Sequence, residues 1–277
     1  MDSVQAERFI PLVISIIFYS SVFLLSELSR KLVDYVFKPE GLWYTFLMEL
    51  IATICMATCV YENGVILRHY GVYGFFFVVI GLLITGSLVN RGALVTPLPA
   101  IELAWKGAIS NEKLIALLTA ESLGGYSAFR VARSLWYYSM NLASDHLYFY
   151  EQLPCTLAYK IPFLGVMLYE FCGCFFIRFI SPRLPTKYRG YLVPTLVSFL
   201  LSVAFVYVGV PALNPVTVSA RMMNCPGLDT QWFILTYWIV PILGWMSAVR
   251  FDPVPSIQPL KEKKPRKYGY SKKNKDE

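Results

Sequence analysis

The feature that most limits this chain is a succession of seven apolar blocks, each near the length a helix needs to cross a bilayer. They cover residues 9–28, 43–61, 70–89, 112–136, 161–181, 188–208 and 231–249. About 20 mostly apolar residues span the hydrocarbon. A backbone facing lipid must satisfy its own polar groups, so each block is expected to be helical. Composition agrees: 56% of the 277 residues are hydrophobic and 16% charged, against about 25% charged in soluble domains. The expected class is an all-α membrane protein, with the lipid bilayer as its first partner. The net charge of +7 does not argue for nucleic acid, because residues 251–277 alone hold eight Lys/Arg against four Asp/Glu.

The flanking charges predict an orientation, since basic loops stay cytosolic. Arg30, Lys31 and Lys38 follow the first block and only Arg8 precedes it. Arg178, Arg183, Lys187 and Arg189 bracket the break between the fifth and sixth blocks, whereas residues 137–160 hold only Lys160. The first block is therefore read as a retained helix with its C-terminal side inside, and the basic C-terminus as cytosolic. No small-residue cleavage site follows that block, which argues against a signal peptide. The six cysteines form no CxxC pair and only two histidines occur, so neither a disulfide framework nor a metal site is expected, and no cofactor.

Two stretches are too short to span: residues 92–110 and 209–227, each with a Gly/Pro-rich entry and eight to ten helix-forming residues. One follows the third block and the other the sixth. Glu49 lies 47 residues before Thr96, and Glu170 lies 44 before Asn214. Without the first block, the chain divides into two units of span, span, short stretch, span. An odd number of spans inverts the second unit, and inverted repeats with broken helices are a transport architecture. The short helices begin Thr96-Pro97-Leu98 and Asn214-Pro215-Val216. Asn is a strong N-cap and Pro suits the first helical position. Two such helices meeting head to head direct two positive dipole ends at one point, which disfavours cations while polar groups guide a neutral solute.

With these residues the chain resembles the aquaporin superfamily. Met48-Glu49-Leu50-Ile51-Ala52-Thr53 is similar to the glutamate-bearing start of that family's first span. Ala120-Glu121-Ser122-Leu123-Gly124-Gly125 stands where the third carries an Ala-Gln-x-x-Gly-Ala run. Glu170 takes the matching place in the fourth, and Tyr237-Trp238-Ile239-Val240-Pro241-Ile242-Leu243-Gly244 resembles the Trp-x-x-Pro-x-x-Gly run of the sixth. An intact second motif, an altered first and Cys225, eleven residues after Asn214, resemble the unorthodox superaquaporin branch typified by aquaporin-11. The resemblance implies an inverted-repeat bundle of six spanning helices plus two re-entrant half-helices, with an extra N-terminal helix. It implies that Glu49 and Glu170 hold the half-helices, and it suggests a homotetramer with one pore per subunit.

The departures bear on selectivity. Thr96 keeps a capping hydroxyl but lacks an amide donor. Leu98 and Val216 replace alanines, which predicts a narrower or more apolar centre. Thr217 stands where the family has its filter arginine, and Arg221, one turn deeper, is not taken as its substitute. Phe76 is the candidate aromatic filter residue, with a lipid-facing role as an equal alternative beside Phe75 and Phe77. Cys225 is expected to pack or order its loop, with a bond to Cys155 as the lesser alternative. Gly81, Gly86, Gly124, Gly125 and Gly173 are assigned to helix contacts.

The expected divisions are 1–40, an extra transmembrane helix with a cytosolic linker; 41–250, the channel; and 251–277, a disordered basic tail. Lys273 and Lys275 resemble a dilysine retrieval signal recognised by coat protein, which points to the endoplasmic reticulum or another intracellular membrane. The function expected is a passive channel for water or small neutral solutes such as glycerol and hydrogen peroxide. The alternative is a non-conducting scaffold on the same fold. An enzyme is not expected, because His69 and His146 are read as loop residues without obvious partners.

Overall fold

The computed structural model describes residues 3–39, 41–210 and 212–251, and every regular element among them is helical. In chain order these are α1 (Ser3–Val36), α2 (Leu42–Val89), α3 (Pro97–Trp105), α4 (Asn111–Ser139), α5 (Ser144–Glu151), α6 (Phe163–Ile180), α7 (Thr186–Val203), α8 (Pro215–Met222), α9 (Thr230–Ile234) and α10 (Val240–Val249). Five helical segments are long and apolar enough to cross a membrane: Phe9–Val36, Leu42–Val89, Phe163–Arg183, Thr186–Val208 and Thr230–Val249. The block at 112–136 falls in α4, which is 29 residues long but carries Glu121, Arg130 and Arg133. Lys273 and Lys275, expected as a retrieval signal, and the rest of the basic tail from residue 252 lie outside the described residues.

Two expected blocks lie in one element. α2 runs for 48 residues, and the only non-helical backbone inside it is Gly71, at φ 61° and ψ −159°. Residues 62–69 contain no proline, and burial of Glu62, Val65 and Ile66 holds that stretch helical where a break was expected. Gly71 reverses the chain. A straight helix would put Glu49 and Leu94 about 67 Å apart, yet the Glu49 carboxylate accepts the Leu94 N–H at 3.0 Å. Gly86 likewise lies against Met56, 30 residues earlier, where an added Cβ would come 2.9 Å from its sulfur.

α1 lies along this hairpin. Ser15 donates to Glu62 Oε1 at 2.6 Å and Tyr19 to Asn63 at 2.7 Å. At its other end, fully buried Arg30 donates to Asn90 Oδ1 at 2.8 Å, and Arg91 pairs with Glu27 at 2.7 Å and with Asp34. Glu62 also accepts from Trp136 Nε1 at 2.8 Å and meets His146 Nε2 at 3.2 Å. The other ring nitrogen of His146 lies 2.6 Å from Ser139 Oγ. Neither histidine is a loop residue without partners: His146 is buried in α5, and His69 in α2 pairs with Asp145 at 2.7 Å. Buried groups of this kind must be hydrogen-bonded to be tolerated, and here they join α1, α2, α4 and α5.

The second half of the chain packs α6 tightly on α10. Gly244 has no room for a side chain, because an added Cβ would meet the Phe171 carbonyl. Pro241 has no N–H to return to the Tyr237 carbonyl, and the helix widens to a π turn over Leu235–Ile239. A matching π turn, Ala204–Val208, ends the α7 segment. Of the glycines assigned to helix contacts, Gly124 lies against Thr53, Gly125 against Val216 and Gly173 against Leu213. Gly81 has open space beside it, so its assignment is corrected.

Candidate functional site

The starts of the two short helices meet. α3 follows Thr96 and α8 follows Asn214, each with proline in its first turn. Asn214 Oδ1 accepts the Val216 N–H at 3.0 Å, which caps α8, and Asn214 Nδ2 donates to the Val95 carbonyl at 2.9 Å. One side chain thus closes its own helix and ties it to the loop entering the other. Thr96 differs from the sequence expectation: its backbone is extended, but its hydroxyl makes no capping bond and is buried without a hydrogen-bond partner among the described residues. The shorter side chain does not reproduce the reach of the Asn214 amide.

The residue before each motif adopts the same unusual backbone, Val95 and Leu213 both at φ 60°. Each is held by a glutamate. Glu49 accepts from Leu94 N at 3.0 Å and Val95 N at 2.5 Å, and Glu170 Oε2 accepts from Leu213 N at 3.0 Å. These are the two glutamates that the spacing had paired with the motifs, and their bonds repeat across the two halves. Glu121, also fully buried, stands beside Glu49.

The remaining predicted residues separate. Leu98 is buried among Cys174, Ile177 and Leu213, and Val216 fills the space beside Gly125. Both pack against neighbouring elements. Thr217 turns its hydroxyl to the Asn214 carbonyl at 3.2 Å. Phe76 is half-buried with its ring edge-on to Phe77, while Phe75 is the buried ring, stacked on Phe205 at 6.2 Å. Arg221, one turn deeper, donates through Nη2 to the Pro154 carbonyl at 2.6 Å. Cys225 is bonded to Cys155 across 70 residues, the lesser of the two alternatives read from sequence, and it is also buried among its neighbours. The bond fastens the stretch before α6 to the end of α8.

Several supports were not foreseen. Glu102 on α3 is buried and takes both Nε and Nη2 of Arg178, at 2.7 and 2.8 Å, Lys106 Nζ at 2.7 Å, and Trp245 Nε1 at 2.7 Å. On α8, Ser219 accepts from Trp238 Nε1 at 2.8 Å, and the Ala220 carbonyl accepts the Tyr61 hydroxyl. Each short helix therefore has one tryptophan from the last span holding it. The Trp-x-x-Pro-x-x-Gly run contained Trp238, whereas Trp245, just beyond it, was not singled out in the sequence.

No protein-family profile matches the chain. It is 35% identical over 251 residues to the protein described as "Putative aquaporin-10" of Caenorhabditis elegans, covering 90% of this chain and 89% of the relative. The chain belongs to the aquaporin family. It is accordingly a multi-pass membrane protein, consistent with its five long apolar helices. The match runs over 90% of the chain, beyond the separate motifs that carried the resemblance. The altered first motif of this aquaporin changes the cap of α3 but leaves its proline start and its glutamate support in place.

Proposed function

We propose that this aquaporin is a passive channel for water and small uncharged solutes, with its path running past the facing starts of α3 and α8. The observation that carries the reading is the Asn214 amide linking α8 to the Val95 carbonyl at 2.9 Å, which brings two helix N-termini together. Both dipoles then oppose a cation at one point, and polar groups remain for a neutral solute. The relative's printed name supports the same activity. Re-entrant α3 and α8, six spans around them and an extra α1 form the architecture we propose. Glu49 and Glu170 hold the two entry loops. Thr217 makes the filter less polar than an arginine would, which suits glycerol and hydrogen peroxide as well as water.

The deviant first motif and Cys225 support the superaquaporin branch and an intracellular membrane, with Lys273 and Lys275 read by coat protein and the tail cytosolic. The Cys155–Cys225 bond supports an oxidising compartment on the opposite face. A homotetramer is the assembly implied by the family. A second reading, a non-conducting scaffold, is favoured by the buried, unpartnered Thr96 hydroxyl. Stopped-flow light scattering of proteoliposomes separates the two. Wild type is expected to pass water, glycerol or peroxide at least severalfold faster than empty vesicles. Asn214→Asp, which places a carboxylate at the helix starts, is expected to change that rate. Vesicles no more permeable than empty ones to all three solutes would support the scaffold.

A further inference from the structure

A side cleft of about 1440 Å³ opens between α4 and the Thr230–Val249 helix. Its floor is the flank of α8, at Val216, Ser219 and Ala220, and Trp238 and Ile242 line its far wall. Arg130, Arg133 and Arg221 line it, and among the described residues no Asp or Glu does. Among the described residues none of the three is in an ion pair. Arg130 lies over the Tyr126 ring at 4.1 Å and donates to its hydroxyl at 2.7 Å; Arg133 lies over the Tyr150 ring at 4.7 Å. Arg130 and Arg133 are exposed, and Arg221 keeps Nη1 without a hydrogen-bond partner.

Cations on the open flank of a helix in a multi-pass bundle are expensive unless an anion answers them. Guanidinium answers phosphate best, through paired charge-assisted bonds. The rest of the cleft is mostly apolar and aromatic, with Ser122, Ser134, Ser219 and Asn224 among its lining, which suits a hydrocarbon tail better than a free ion. Arg133 stands eleven residues, about 16 Å, from Ser122 at the cleft's other end on α4. Half of a hydrocarbon core about 30 Å thick is about 15 Å, the depth of one leaflet's acyl chains.

We propose that this cleft binds one anionic phospholipid, its phosphate between Arg130 and Arg133 and one acyl chain along α8. The site is independent of solute conduction, so the test reads binding alone. Native mass spectrometry of the full-length protein, offered equal phosphatidylglycerol and phosphatidylcholine, is expected to show one retained phosphatidylglycerol at least tenfold over phosphatidylcholine. R130Q/R133Q is expected to lose that preference, and R130K/R133K to keep at least part of it. Phosphatidylglycerol carrying a photoactivatable group in its acyl chain is expected to label the peptide around Ser219 or Ile242. This arm uses the unaltered protein and holds whether or not the glutamine variant folds. Equal retention of the two lipids, an unchanged preference in a folded R130Q/R133Q variant, label confined to other helices, or displacement by inorganic phosphate alone would each overturn the proposal.

Discussion

Val95 and Leu213 occupy the left-handed region without being glycine, a conformation that costs of order 1–3 kcal/mol and persists only where the surroundings hold it. Here two carboxylates hold it, by taking the N–H groups of those residues. Glu49→Ala leaves the Leu94 and Val95 N–H groups without their acceptor. Each orphaned group costs about 1–3 kcal/mol, so a loss of at least about 2 kcal/mol is expected in thermal unfolding of the detergent-solubilised protein. Glu49→Gln, which retains one acceptor, should lose less. An unchanged Tm for the alanine variant would show that the loop keeps its shape unaided. Thr96→Asn tests the weaker of the two motifs. Its amide could cap α3 as Asn214 caps α8, with about 0.5–1 kcal/mol of added stability and faster water flux in proteoliposomes; a lower flux would show that the threonine suits this constriction. The glutamates were legible from sequence because their spacing to the motifs repeats. The backbone they hold was not, because nothing in Val95 or Leu213 favours a positive φ.

At the scale of elements, the short helices were readable because each begins with a polar cap candidate and a proline, and is too short to span. The observed lengths of nine and eight residues match the eight to ten expected. The α2 hairpin was less readable: only Gly71, at φ 61°, turns the chain, and a single glycine among many carries little signal. The Glu102–Arg178 pair was invisible for another reason, since 76 residues separate its members and no local pattern links them. Breaking a buried pair leaves a charge without its partner. Arg178→Met is expected to destabilise by about 3 kcal/mol, the low end of the usual 3–5, because Lys106 and Trp245 still reach Glu102. Glu102→Met added to it should recover most of the loss. A thermal-shift series on the single and double variants reads this coupling; simple additivity would count against the pair.

For the whole molecule, α1 is more than an appendage, since it contributes Ser15, Tyr19 and Arg30 to bonds with α2 and the residue after it. Replacing Arg30 with methionine removes the fully buried cation from Asn90 and is expected to lower the Tm by several degrees, with the oligomer profile on size exclusion as a second readout. An unchanged Tm would make α1 a passive passenger. The Cys155–Cys225 bond closes a ring of 70 residues, which on the chain-entropy scale contributes about 4 kcal/mol. Reductant should destabilise wild type and leave Cys155→Ser unaffected. The same bond also dates the molecule. Cys225 lies beyond α8 and Cys155 before α6, so the ring can close only after α6, α7 and α8 have been made and α8 has settled against the preceding loop. A non-reducing gel of newly made chains therefore works as a clock: the oxidised fraction counts those in which α6 to α8 have already been brought together, and its lag behind synthesis measures how long that assembly takes.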